Sequence, residues 1–522
     1  MLLAAGAFVL LIAIVNVANL LLARATLRQK EVAIRTAVGA GRSRVIRQLL
    51  AESVLQAVAG GLAGLLLARW AILILVRISP NAIPRLSEAA IDARVLAFTF
   101  GISVLAGLLF GVMPAICLRR PDLHESLKNG VRSSGGPGGL RVRRMLVAVE
   151  LSLAIVLLTG AGLLLKSFAR MNAHAPGVDP ANIIVMTVRF QGPQYREDPA
   201  QRSESPARIE YVSELRRRLG AAPGVQAGGV SCWVLFGRAP AFPIDTNPRQ
   251  THVIRVNGVS PGYLQALGMT LKKGRWLTDA DTHGALLNES MAREAFGALD
   301  PIGRQLSIPR PATIVGIVTD VKYSKLDAAA LPEVFVGFDQ APDLYGVYVA
   351  ARAAAHPAAV ERSLRKLVSG IDPSQPVYDV KTLEQALAQS VAPRRFNLFL
   401  LGGFAAAALL LAVVGIYGVT AYSVSERTRE IGVRIALGAR RGQVAAMVVR
   451  EALPIAAAGI GAGLAATWAL TRAMAALLYD VRATDPETFG AVAILLSITT
   501  LAACAGPAMR AASIDPTALR YE

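Results

Sequence analysis

Three short patterns in the chain have residue types and spacings that could do chemistry. Gly258-Val-Ser-Pro-Gly262 has the Gly-x-Ser-x-Gly spacing of a nucleophile elbow, and a strand-like stretch at 253–256 precedes it. A serine there attacks a carbonyl only with histidine and acid partners held by an α/β sheet. His283 and His356 are the only downstream histidines, and no supporting order of elements accompanies them. The same residues read as a helix start, with Ser260 as N-cap, Pro261 in the first turn and Gly268 as the stop. Gly160-Ala-Gly-Leu-Leu-Leu-Lys-Ser167 imitates a phosphate loop, but Leu165 stands where a glycine must let backbone approach phosphate. Glu150 is an ionisable residue inside an apolar run, which by default suggests function. Its place six and seven residues from Arg144 and Arg143, within about two turns, favours a snorkelling or ion-paired role near the membrane surface instead. His124, His174, His252, His283 and His356 lack metal-ligand spacing. The expectation is therefore no enzyme activity in this chain, no bound metal and no cofactor.

The elements that would hold these residues explain the pattern better than catalysis does. Of 522 residues, 53% are hydrophobic, and mean hydropathy is +0.46. The apolar residues are concentrated outside 174–394, which reads as a water-soluble domain. Crossing a bilayer takes roughly 20 apolar residues in a row. Seven stretches qualify: 2–22, 54–76, 95–118, 145–165, 396–419, 454–478 and 489–505. The first is long for a signal peptide and has its charges after it, so it reads as a span.

The net charge of +19 lies mostly in alternate loops. Arg24, Arg28, Lys30, Arg35, Arg42, Arg44 and Arg47 follow the first span, and Arg427, Arg429, Arg434, Arg440, Arg441 and Arg450 follow the fifth. The linker before the fourth span is basic too, with Arg119, Arg120, Lys128, Arg132, Arg141, Arg143 and Arg144. That is the positive-inside pattern rather than a nucleic-acid footprint. It predicts an N-terminus outside, a C-terminus in the cytosol and the long segment outside. Arg69 and Arg472 fall toward outer span ends, where they can snorkel. Cys232 is the only cysteine of the external segment, so that domain has no internal disulfide.

One stretch is written twice. Glu31-Val-Ala-Ile-Arg-Thr-Ala-Val-Gly-Ala-Gly-Arg42 returns as Glu430-Ile-Gly-Val-Arg-Ile-Ala-Leu-Gly-Ala-Arg-Arg441, and Glu52/Glu451, Gly60/Gly459 and Gly64/Gly463 continue the match. In each copy glutamate precedes arginine by four positions (Glu31/Arg35, Glu430/Arg434), which is favourable on a helix. Gly39 and Gly438 supply a left-handed stop. Arg42, Arg440 and Arg441 follow. The spacing predicts a short amphipathic helix on the cytosolic membrane face, either a lipid-surface anchor or a docking element for a cytosolic partner. Gly60, Gly64, Gly459 and Gly463 form small-residue faces that suit close packing between the halves or in a homodimer.

Within the external segment, 183–190 and 313–318 read as strands, 207–219 and 357–367 as helices, and Asp300-Pro-Ile-Gly303 as a turn. The repeated motif resembles the signature of FtsX/MacB-type ABC transporter permeases. Val259-Ser-Pro-Gly-Tyr-Leu-Gln-Ala-Leu-Gly268, Gly274-Arg-Trp, Asn288-Glu, Asp300-Pro-Ile-Gly303 and Ile314-Val-Gly-Ile-Val318 resemble the MacB-like periplasmic core domain. The duplication resembles the orphan permeases of that superfamily, with the first unit incomplete: it lacks a first span and external domain.

The resemblance implies an α-helical integral membrane protein of about seven transmembrane helices with an α/β extracytoplasmic domain. The resemblance also implies a place in the bacterial inner (plasma) membrane. The implied parts are a partial permease unit (1–118), a cytosolic linker (119–144), a span and stalk helix (145–172), the periplasmic core domain (173–393) and a second permease unit (394–522). Residues 31–42 and 430–441 would be coupling helices touching a cytosolic ABC ATPase subunit, with ATP acting only through that partner. The function implied is export or envelope mechanotransmission, with periplasmic or outer-membrane partners. The alternative is a membrane scaffold that regulates envelope enzymes or lipoprotein handling without transport.

Overall fold

The computed structural model describes residues 1–37, 42–78, 91–117, 137–173, 177–195, 205–233, 242–247, 250–308, 310–321, 330–340, 346–474, 478 and 480–513. Contacts divide the chain into two units, one of 1–169 with 394–522 and one of 170–393.

In chain order the first helices are α1 (Leu2–Ala37), α2 (Arg42–Ile78), α3 (Ala93–Cys117) and α4 (Pro137–Ala173). The external segment follows with β1 (Ile183–Arg189), α5 (Pro206–Gly220), β2 (Val225–Ser231), β3 (Phe242–Asn247), β4 (Gln250–Val259), α6 (Tyr263–Ala266), β5 (Leu271–Gly274) and β6 (Gly284–Asn288). Then come α7 (Glu289–Phe296), β7 (Gln305–Leu306), β8 (Ala312–Val318), β9 (Glu333–Gly337), β10 (Gly346–Ala353), α8 (Pro357–Ser369) and β11 (Val377–Thr382). The chain closes with α9 (Leu383–Glu426), α10 (Thr428–Ala436), α11 (Arg441–Met474) and α12 (Pro486–Ala512).

Among the described residues, six helices are long and apolar enough to cross a membrane: α1, α2, α4, α9, α11 and α12. The third expected span corresponds to α3, whose apolar window among described residues is shorter, at Ala93–Leu105. Hairpin-like pairs dominate the packing, α2 on α3 and α11 on α12. Asp92 accepts the Val95 N–H at 2.9 Å to start α3, and Asp485 accepts the Thr488 N–H at 3.1 Å to start α12. Each caps one of the donors a helix start leaves open. A core of α1, α4, α9, α11 and α12 joins Ile12, Leu151, Ile155, Ala408, Ala412 and Leu496, all at most 1% exposed. Helix α4 begins at Pro137, inside the stretch read as linker. Proline at the first helical position lacks only an N–H that would be unpaired anyway.

The external unit is built on an 11-stranded mixed sheet in the order β11-β1-β10-β2-β4-β9-β6-β8-β5, with β3 on β4 and β7 on β8. The β4–β9 and β6–β8 pairs are parallel, and the others are antiparallel. Strand β6 is buried at every position, and β8 alternates buried and half-buried residues. A central strand is covered on both faces, which explains the uninterrupted apolar run of β6. Helices α5 and α8 lay Leu215, Leu219, Leu364 and Val368 on one face of β1, β2 and β10. The two strands and two helices expected from apolar spacing appear within about three residues of their predicted ends.

Ser260 does not cap a helix. Helix α6 is one short turn, preceded by Gly262 at φ +85° and ended by Gly268 at φ +72°. The Ser260 hydroxyl instead accepts the Val230 N–H at 2.9 Å, where β2 and β4 share only the Ser231–Val259 pair. An unpaired strand N–H competes successfully for the side chain.

Candidate functional site

The second copy of the repeat forms a small docked helix. Helix α9 stops at Glu426, where Arg427 takes φ −105° and ψ 14°. Thr428 turns its hydroxyl back onto the Val424 and Ser425 carbonyls at 3.1 and 2.9 Å. Helix α10 then runs to Ala436, and Gly438 at φ +95° closes it. The Gly438 N–H donates to the Ile435 carbonyl and the Ala439 N–H to the Arg434 carbonyl, both at 3.0 Å. That bond pair is the Schellman motif, and its left-handed residue has to be glycine-like. The Gln443 side chain accepts the Arg440 N–H at 3.0 Å as α11 begins.

One face of α10 is sunk: Ile431, 1% exposed, packs with Val444, Val448, Ala508 and Ala511. The opposite face is open, with Val433 50% and Leu437 82% exposed. Glu430 accepts from Arg434 at 2.5 Å, a half-exposed pair that contributes little to stability. Arg440 and Arg441 lie exposed beside this face.

In the first copy, Glu31 and Arg35 lie within α1, which runs unbroken from the first span to Ala37. Arg42 opens α2, and Gly39 lies outside the described residues. The expected separate surface helix is therefore part of a 36-residue helix in this copy.

The glycine faces also differ. A Cβ on Gly459 would come within 2.8 Å of Ala148 O and Leu151 Cβ. One on Gly463 would lie 2.9 Å from Ser152 Cα and Ile155 Cβ. Helix α4 thus passes against the backbone of α11. At Gly60 and Gly64 the same test meets nothing within 4 Å.

Glu451 enters the sequence reading only as a repeat marker, and the structure gives it partners. Arg427 donates to it, Ser423 lies at 3.4 Å and Arg144 at 3.8 Å. These side chains line a cavity of about 40 Å³ between α9, α10 and α11. The signal available was an acid repeated in both copies at the same place, ten residues after Arg42 and after Arg441.

Glu150 departs from its expected pairing. It is fully buried, and Asn16 of α1 donates to it at 2.6 Å. Arg143 lies 3.9 Å over the Tyr422 ring, and Arg144 points to Glu451. Side chains on three helices decide this, so spacing along α4 could not.

The phosphate-loop imitation sits inside α4, where its N–H groups serve the helix. Lys166 pairs with Asp485 and Glu487, both at 2.7 Å. That ammonium, with the Thr488 hydroxyl, holds the Asp485 carboxyl down to about 2. Ser260 is 3% exposed, while His283 and His356 face solvent. Arg472 lies 4.4 Å over the Trp468 ring.

Two family models match the chain. The model of the FtsX-like permease C-terminal family matches residues 3–123 and 402–516, the segments that carry the repeat. The MacB-like periplasmic core domain matches residues 147–367. The chain is 28% identical over 283 residues to an uncharacterized ABC transporter permease, YknZ, of Bacillus subtilis, covering 51% of this chain and 70% of that protein. It is 29% identical over 276 residues to the pyoverdine export ATP-binding/permease protein PvdT of Pseudomonas aeruginosa, covering 50% of this chain and 41% of that protein. With the macrolide export ATP-binding/permease protein MacB of Mannheimia succiniciproducens it shares 27% over 286 residues, covering 51% and 43%. The alignments thus span less than half the length of PvdT and of MacB. Among solved structures, the periplasmic region of MacB from Actinobacillus actinomycetemcomitans is similar at TM-score 0.29 and 14% identity, covering 42% of this chain and 96% of that one.

Proposed function

Because the chain belongs to the FtsX-like ABC transporter permeases that carry a MacB-like periplasmic core domain, we propose that it is the membrane subunit of an ABC-type system driven by an ATPase on a separate chain. In this reading α10 is the coupling helix. The observation that carries it is the sidedness of α10: Ile431 anchors it, while Val433 and Leu437 stay exposed between charged neighbours. A stripe of apolar residues rimmed by Glu430, Arg434, Arg440 and Arg441 suits the core-and-rim pattern of a protein partner. The segment 31–42 repeats the composition and serves as the second contact.

ATP-driven closure at these contacts would move α4 and α9 and, through them, the external domain. That movement is mechanotransmission for export. The N-terminus and the external domain face outward, and α10 and the C-terminus face the cytosol. Regulation of an envelope enzyme by the same movement is the competing outcome, and it is separated from export by what a deletion strain loses.

The test is copurification from membranes with photocrosslinkers at positions 440 and 441, exposed beside that stripe. Crosslinks to an ABC ATPase are expected, and the double change Val433→Asp, Leu437→Asp should abolish them and lower ATP turnover at least tenfold. Crosslinks to lipid alone would return α10 to a surface anchor. A cysteine at Gly303 labelled only from the cytosol would overturn the topology.

A further inference from the structure

The buried polar group at the crossing of α1, α4 and α9 has an unusual hydrogen-bond balance. Asn16 is 4% exposed and Glu150 0%. Asn16 Nδ2 uses both of its hydrogens, donating to Glu150 Oε1 at 2.6 Å and to the Leu411 carbonyl at 2.7 Å. Turning the amide over would set its oxygen against two acceptors, so this orientation is the one that fits.

Two oxygens remain without hydrogen-bond partners among the described residues: Asn16 Oδ1 and Glu150 Oε2. They converge on one place. A Cβ at Gly415 of α9 would meet Glu150 Oε2 and would lie 3.0 Å from Asn16 Oδ1. An ionised carboxylate only accepts, and so does the amide oxygen, so as an anion the pair leaves two buried acceptors set against the same glycine of α9. Within a membrane no water is at hand to satisfy an orphan acceptor, and a bare charge is costlier still. One added proton resolves both: Oε2 becomes a donor aimed at Asn16 Oδ1.

We propose that Glu150 is a proton-binding site within the membrane, holding its proton between Glu150 Oε2 and Asn16 Oδ1 and closing a two-bond acid–amide pair that clasps α1 to α4. The proton comes from water and returns to water, and only an O–H bond forms or breaks. Among the described residues, the charged and titratable side chains around the cavity beside Asn16 are Arg143, on the same face of α4 as Glu150 and two turns away, and Tyr422 of α9, whose ring Arg143 covers. Arg143, Tyr422 and Asn19 line a cavity of about 10 Å³ beside Asn16, space for one water at most. Separating α1 from α4 would strip Glu150 of its amide partner and open it to water, so proton release accompanies that movement. The clasp thereby links proton occupancy to the state of the helix bundle, independently of any ATPase.

The test is infrared difference spectroscopy of the full chain in lipid nanodiscs at neutral pH, wild type minus Glu150→Gln. A protonated-carboxyl band is expected in the wild type and its complete loss in the variant. The amide of Glu150→Gln can donate to Asn16 Oδ1, so that protein should fold. Asn16→Leu removes both hydrogen bonds to the acid and should shift the band to higher frequency. A difference spectrum with carboxylate bands only would overturn the proposal and favour a water bridging an anionic Glu150. A band that Asn16→Leu leaves unmoved would overturn the pairing. Neither outcome bears on whether α10 binds an ATPase.

Discussion

The two copies of the repeat share a sequence but not a structure. In the second copy the chain breaks at Arg427, a separate helix docks through Ile431, and glycines 459 and 463 lie under α4. In the first copy Glu31 to Ala37 continue the helix of the first span without a break, and among the described residues nothing lies within 4 Å of a Cβ at Gly60 or Gly64. Two physical differences account for this. Around the break the second copy has Val424, Ser425 and Thr428, where the first has Ala25, Thr26 and Gln29. Alanine and glutamine favour helix over valine and threonine by several tenths of a kcal/mol each. Threonine also offers the backbone a competing hydroxyl, which is used here. The second difference lies outside the motif: α4 packs on α11, and no described helix takes that place on α2. A repeat therefore specifies a device only where its neighbours are repeated too.

The strongest way to break the comparison is to fill the glycine faces. Gly459→Val or Gly463→Val drives carbon into α4 backbone that cannot retreat, and overpacking of this kind costs about 1–3 kcal/mol or more. Thermal unfolding in detergent should show a clear fall for each. Equal tolerance at all four glycines would mean α4 does not seat on α11.

A smaller effect concerns the start of α12, tied to α4 only in the second copy. Asp485, held down to about 2 against an ordinary value near 3.8, stabilises the fold above pH 4 and loses that contribution as pH falls through about 2. Lys166→Met should start from a lower Tm at pH 7 and fall less between pH 4 and 2. An unchanged acid limb would show that the pair, partly open to water, is screened out.

The smallest effect should have the opposite sign. Gly60→Ala and Gly64→Ala add a methyl into open space and remove backbone freedom, so each should stabilise α2 by up to about 1 kcal/mol. Loss of stability at either site would reveal a helix seated on α2 that the described residues do not include.

Much of this was legible in order along the chain. Apolar length marked the helices, alternation marked β1 and β8, and the glycine after ten or so residues of helical spacing marked the stop at Gly438. The start of α4 at Pro137 was hidden by the glycines on both sides of it, at 135, 136, 138 and 139. The Ser260 capping role failed because a strand N–H competes for its hydroxyl, and strand pairing is not written locally. The partners of Glu451 and Glu150 were out of reach for the same reason: Arg144, Arg427 and Asn16 reach them from other helices.

The sequence by itself determined which segments are helical, which residues are duplicated and where the basic loops fall, because helix formation and membrane partition depend on neighbours within a few turns. Only the tertiary structure decided which copy of the repeat becomes a docked helix, which glycines are crossed by α4 and where the buried Glu150 side chain finds its amide. Those outcomes depend on which surfaces meet, and close packing and hydrogen bonding act only between atoms already in contact.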